Sequence, residues 1–207
     1  MSRSIQSVQT TSDRTTDLLD ATCRVVAKSG AHGLRMSHVA REAGVSNALL
    51  HYYFETRAEL LARAFAHAED RVYAHAGVEL EELETAAERL RRFLHLYVEE
   101  DVVFQENWVL WNEMWSSSLS DPDMRPTIEE GYRRWIAYIV DLVEQGRTDG
   151  SVPAAVDPEE AGARLAAVVD GIGSQLVLGL VARDRAAALI EQSIELELTG
   201  RTPPGPA

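Results

Sequence analysis

The chain has 207 residues, 45% hydrophobic and 26% charged, enough to bury one large core or two small ones sharing a surface. A lone cysteine, Cys23, excludes an intrachain disulfide, no apolar run reaches the roughly 18 residues of a membrane span, and the polar start MSRSIQSVQTTSDRTTD has no signal-peptide core, so a cytoplasmic protein with no membrane partner is expected. A net charge of −13 argues against nucleic acid over the whole surface, yet residues 1–60 carry seven basic and six acidic side chains and the remainder thirteen against twenty-seven, so only the N-terminal end can meet phosphate.

Residues 1–12 read as a disordered polar arm. A first helix is expected over 13–29, with Leu18, Leu19, Thr22, Val25 and Val26 at three- and four-residue spacing, closed by Gly30. Cys23 within it reads as a small buried hydrophobe rather than a redox sensor. Ser37 is placed to cap a short helix over 37–43, Gly44-Val45-Ser46 makes a tight turn, and Ser46 caps a second short helix over 47–53. A longer helix starts near Thr56 and runs to about Gly77. Stacked helices follow over 83–100, 102–118, 124–145, 158–181 and 184–198, then a flexible tail at 200–207. No alternating strand pattern and no repeat emerges, so the fold expected is all-α: a three-helix N-terminal domain (13–60) and a C-terminal helical bundle (61–199).

Helix, three-residue turn with glycine, helix is the helix-turn-helix plan. Val39 and Ala40 face inward, Val45 plugs the angle, and Leu50 and Phe54 anchor the second helix from behind. Ser46, Asn47, Ala48, Leu49, His51 and Tyr52 are left on an outer face that can enter a major groove. Asn47 and His51 can bond base edges, and Ala48 or Leu49 can touch a thymine methyl. Ser37, Tyr52 and Arg57 suit phosphate oxygens. The plainer alternative is a helical pair whose polar face is simply solvated.

The stretch 34–61, LRMSHVAREAGVSNALLHYYFETRAELL, resembles the signature of the tetracycline-repressor (TetR) family at Val39-Ala40, Ala43-Gly44-Val45-Ser46, Tyr53-Phe54 and Leu60. Ser37 stands where the family often has Thr, Asn47 and His51 where Lys and Tyr are common, and Arg57 where Lys is usual. The resemblance implies a bacterial ligand-responsive repressor. As a homodimer it would hold a palindromic double-stranded DNA operator, with two reading helices in major grooves roughly 35 Å apart. A small-molecule effector in the C-terminal domain would mis-space them, with the helix 56–77 as lever. The last two helices would pair with their twin. Small residues in 161–181 and the stripe Ala186, Leu189, Ile190, Ser193, Ile194 and Glu197 agree with that, packing within the chain being the alternative. Trp111–Trp115, Tyr132–Trp135, Asp157-Pro158 and Asp170–Ile172 resemble the subgroup that includes the choline-responsive betaine regulators.

Trp108, Trp111 and Trp115 share a helix face flanked by Asn112, Trp135 and Tyr138 repeat the three-residue spacing, and Asp170 sits in an apolar run where a lone carboxylate is costly. Glu113 and Gln175 are further polar candidates. Aromatic faces with a carboxylate suit an amine, polyamine or quaternary ammonium, and a flat aromatic drug is an equal rival. The bland reading is core aromatics with a satisfied carboxylate. No nucleophile elbow, phosphate loop or metal spacing appears, so neither an enzyme nor a cofactor is expected, and His67 and His75 read as solvent-exposed. A helical adaptor that binds no DNA and a transcriptional activator are the competing readings.

Overall fold

The computed structural model describes residues 11–119 and 121–199. The helix-turn-helix core is α1 (Thr11–Ser29), α2 (Met36–Glu42) and α3 (Asn47–Tyr53), followed by the long α4 (Arg57–Leu80). Then come α5 (Ala86–Leu96), α6 (Val102–Ser118), a 3-10 turn at Pro122–Met124, α7 (Arg125–Asp149), α8 (Pro158–Val177) and α9 (Arg183–Leu198). No strand occurs among the described residues, and none of the helices described there is long and apolar enough to cross a membrane. Helix α1 starts two residues before the pattern indicates, while the rest of the expected arm and the tail 200–207 lie outside the described residues.

Local chemistry sets most boundaries. The side chains of Ser46 and Thr56 accept the N–H of Leu49 and Glu59, which starts α3 and α4. Helix α5 is shorter than expected because Thr85 and Glu88 form a capping box that starts it at Ala86. Asp101 caps α6 by accepting from Val103 and Phe104. Ser37 is not a cap: α2 begins at Met36 behind Arg35, with no side-chain capping bond, and Ser37 stands exposed in the first turn. The turn into α3 uses Gly44 at φ +66, a left-handed conformation that a side chain would strain.

Two apolar clusters make the core, and α4 and α6 take part in both. Leu18, Val26, Val39, Leu50, Phe54 and Phe65 form one with Leu110, Trp111 and Met114 of α6. Val72 and Ala76 of α4 and Phe104 and Trp108 of α6 join the other, with Phe93, Trp135, Ile139, Leu165 and Ile190. Cys23 is half-buried with its sulfur 3.5 Å from the Ala64 carbonyl oxygen, and burial pushes its thiol up to about 12, the behaviour of an inert small hydrophobe. His67 and His75 are not simply solvated. Each ring lies 2.8 Å from a carboxylate of another segment, Asp20 of α1 and Asp101 at the start of α6, so a hydrogen bond holds it there. The stripe on α9 is also corrected: Ala186, Ile190 and Ile194 are buried in the chain's own core. The exposed apolar side chains at this end are Val177, Leu178, Leu180 and Leu196.

Candidate functional site

The outer face of α3 presents Ser46, Asn47, Ala48, His51 and Tyr52 together, with Ser37 exposed on α2. Tyr52 is 79% exposed, and its ring meets Tyr53 edge-on at 5.3 Å. Leu49 is half-buried and Leu50 fully so, which fixes which side of α3 faces out. Arg57 is placed otherwise than a free phosphate contact. Its Nε donates to the Leu34 carbonyl at 3.1 Å and its Nη2 to that of Ala31. A guanidinium between two carbonyls of the α1–α2 turn is a brace, because those oxygens have no helical partner.

The second site is a narrow, partly open cavity between α4, α6, α7 and α8, with room in this structure for about one water molecule. Its lining is Glu69, Val72, Tyr73, Tyr97, Asn107, Trp108, Trp111, Trp135 and Asp170. Helical periodicity brings α6 to it through Asn107, Trp108 and Trp111, spaced three and four apart. Trp108 is fixed by a 2.8 Å bond from its Nε1 to the Tyr97 carbonyl, and Gly173 of α8 lies flat beneath it. Trp135 packs 4.7 Å from Tyr97, and Trp111 meets Phe65 edge-on at 4.7 Å.

Two carboxyls face these rings. Burial pushes Glu69 up to about 7 against the opposing pull of Arg134, whose Nη1 is 3.9 Å away. Burial likewise pushes Asp170 up to about 7, with a hydrogen bond from the Tyr132 hydroxyl resisting the shift. Two further polar atoms of the lining residues, Asn107 Oδ1 and Trp135 Nε1, are buried without a hydrogen-bond partner. Electron-rich ring faces, carboxyls that a bound cation would help to ionise and an unused acceptor and donor suit an organic cation that carries a polar substituent.

Of the side chains expected here, Trp108, Trp111, Trp135 and Asp170 line the cavity, and five do not. Trp115 shares the tryptophan face but lies two turns beyond Trp108, about 10 Å along the axis, and meets Trp111 edge-on instead. Asn112 turns back to donate to the Trp108 carbonyl at 2.8 Å. Tyr138 sits one layer behind, against Phe93 and Tyr73. Gln175 is exposed on α8. Glu113 points the other way and accepts the Ala31 N–H at 2.9 Å. The sequence reading missed Glu69, Tyr73, Tyr97 and Asn107. Glu69 and Asn107 carried a usable signal, each being a polar residue in register with a buried apolar stripe.

Residues 18–64 match the family described as bacterial regulatory proteins, tetR family, and residues 86–199 match the BetI-type transcriptional repressor C-terminal family. The HTH-type transcriptional regulator BetI of Brucella abortus is 26% identical over 190 residues, covering 91% of this chain and 93% of that protein. A TetR-family transcriptional regulator from a Rhodococcus species superimposes with a TM-score of 0.84 at 28% identity, covering 90% of this chain and 99% of that one. A transcriptional regulator from Saccharomonospora viridis, solved in complex with choline, gives 0.76 at 28% identity over 89% and 96%. The helix-turn-helix geometry and the matched families agree: this chain belongs to the TetR family of transcriptional regulators, with a BetI-type C-terminal domain.

Proposed function

We propose that the chain is a cytoplasmic homodimeric repressor that leaves a palindromic operator when a quaternary ammonium compound of the choline type widens and occupies the cavity between α4, α6, α7 and α8. One observation carries the effector class: five aromatic rings and two buried carboxyls converge on one cavity. A trimethylammonium group is favoured over ring faces and beside carboxylates. A hydroxyl both donates and accepts, which matches the unused Asn107 Oδ1 and Trp135 Nε1. The choline complex of the S. viridis regulator supports the same class. A flat uncharged aromatic drug brings no cation to the two carboxyls and is disfavoured.

The functional division is residues 13–60 for reading DNA and 61–199 for sensing and pairing. Asn47, Ala48 and His51 read base edges, Ser37, Ser46 and Tyr52 meet phosphate, and Leu49 adds apolar contact. Ala163, Ala167, Gly171 and Gln175 form an exposed row along α8 at four-residue spacing, ending near Leu178, and this row is the proposed pairing face. The test is a fluorescence-anisotropy titration against duplex from upstream of the protein's own gene, with and without choline. Saturable binding that choline reverses supports the reading. Salt-sensitive binding that choline leaves unchanged contradicts the effector assignment.

A further inference from the structure

Arg134 of α7 immediately precedes Trp135, which lines the aromatic cavity. Its guanidinium lies over the Tyr73 ring, 5.5 Å from the ring centre. Its Nη1 is 3.9 Å from a Glu69 carboxylate oxygen, and its Nη2 donates to the Asp70 carboxylate at 2.7 Å. Glu69 and Tyr73 belong to the cavity lining, whereas Asp70 is exposed. The half-buried guanidinium thus reaches from two lining groups out to solvent. A ring face with a carboxylate beside it is the environment that an organic cation seeks. In this chain one of its own side chains holds part of that environment. The approach to Glu69 is the looser half of the arrangement, because 3.9 Å is too long for a hydrogen bond while the bond to Asp70 is short. Gly131, one turn earlier on α7, leaves room for the Glu69 carboxylate, since a Cβ there would lie 3.1 Å from both of its oxygens. Packing against α7 therefore confines Glu69 whether or not the side chain at 134 is charged.

We infer that Arg134 is an internal competitor for the effector's cation: it shares Glu69 and Tyr73 with the incoming ammonium and withdraws toward Asp70 as the cavity widens. This rests on the quaternary ammonium reading above and adds what sets the affinity. Like charges beside one buried carboxylate repel, so the ammonium and the guanidinium do not occupy that place together at low cost. The ligand-free cavity has room for about one water molecule, so a ligand has to displace something to enter. Arg134 is suited to be displaced, because its stem is flexible and its short bond is to the exposed Asp70, which an outward swing preserves. An uncharged ligand of the same shape meets no such repulsion. Arg134 therefore raises the effector concentration at which the repressor responds, and it acts on charge rather than on shape.

Titration calorimetry of the full chain with choline and with its uncharged isostere 3,3-dimethyl-1-butanol tests the inference. A buffer at about pH 8.5 keeps protonation of Glu69 from masking the effect. Arg134→Gln removes the charge and keeps a donor for Asp70. It is expected to bind choline at least about threefold tighter than the unaltered chain, and the isostere no tighter. Arg134→Lys keeps the charge and is expected to stay within about twofold of the unaltered chain. Arg134→Met, which keeps an apolar stem over Tyr73, repeats the test should the Gln variant fail to fold. Unchanged or weaker choline binding in the variants without the charge overturns the inference. An equal gain for both compounds also overturns it, since that marks a steric plug rather than a competing charge. Either result leaves the choline reading standing. Absence of choline binding by the unaltered chain and by every variant overturns both.

Discussion

The carboxylate of Glu113 on α6 accepts the backbone N–H of Ala31 at 2.9 Å, so the helix that lines the effector cavity is bonded directly to the α1–α2 turn of the reading domain. Gly30 allows this approach: a Cβ there would lie 2.8 Å from Glu113 Oε2. Arg57 holds the same turn from the other side through the Ala31 and Leu34 carbonyls. The turn is therefore clamped between α6 and α4, the two helices that take part in both apolar clusters. The proposed signal from the cavity therefore has a direct route through α6 as well as one through α4.

Glu113→Ala removes that bond. The ratio of operator affinity without and with choline is expected to fall by at least about threefold, since the bond contributes roughly 1 kcal/mol to the coupling. Glu113→Gln keeps an acceptor and is expected to retain most of the ratio. Anisotropy titrations with and without choline measure both. An unchanged ratio in Glu113→Ala shows that coupling runs elsewhere.

Choline affinity should rise with pH between about 6 and 8. Glu69 and Asp170 each have a carboxyl pushed up to about 7, and the cation requires the ionised form. Arg134 and Asp70 near Glu69, and the Tyr132 hydroxyl on Asp170, set the background. The ligand-free protein behaves oppositely. A carboxyl raised on folding contributes stability below the ordinary carboxylate range, and that contribution is lost as pH rises through about 7. Calorimetric binding and thermal melts at pH 6, 7 and 8 check both slopes, and choline is expected to flatten the melting trend.

Gly173→Ala places a methyl where a Cβ would lie 1.8 Å from Trp108 Cζ2. Trp108 must move, its bond to the Tyr97 carbonyl breaks, and choline affinity is expected to drop by at least about tenfold with a destabilisation of roughly 1–3 kcal/mol. Gly77→Ala, on α4 and facing open space, is the control and should leave choline binding intact.

On the reading face, Tyr52→Ala is expected to weaken all duplexes alike, and Asn47→Ala to relax sequence preference by about 1–3 kcal/mol at one base pair. Arg57→Ala should lower thermal stability as well as DNA affinity, because it leaves two carbonyls of a tight turn unbraced. Equal losses on specific and random duplex for Asn47→Ala contradict its base-reading role.

What could be read from the chain alone follows from which interactions are local. The bounds of α3 and α6 matched the sequence pattern because their caps, Ser46 and Asp101, are immediate neighbours of the helices they start. The tryptophan face of α6 was legible from helical spacing, but the axial offset that takes Trp115 out of the cavity was overlooked. Glu113 looked like a ligand contact because sequence does not tell which side of α6 meets α1. Glu69, Tyr73 and Tyr97 belong to the cavity only because α4 and the end of α5 are folded against α7, a contact between distant segments that no local pattern encodes.

The claim that a cation is recognised by rings and buried carboxyls is tested most directly by titration calorimetry with choline and its uncharged isostere 3,3-dimethyl-1-butanol. The two share shape and hydroxyl and differ in charge. Choline binding at one site per chain, with the isostere at least about tenfold weaker, is the predicted result. Equal affinities, or no choline binding at millimolar concentration, would contradict it.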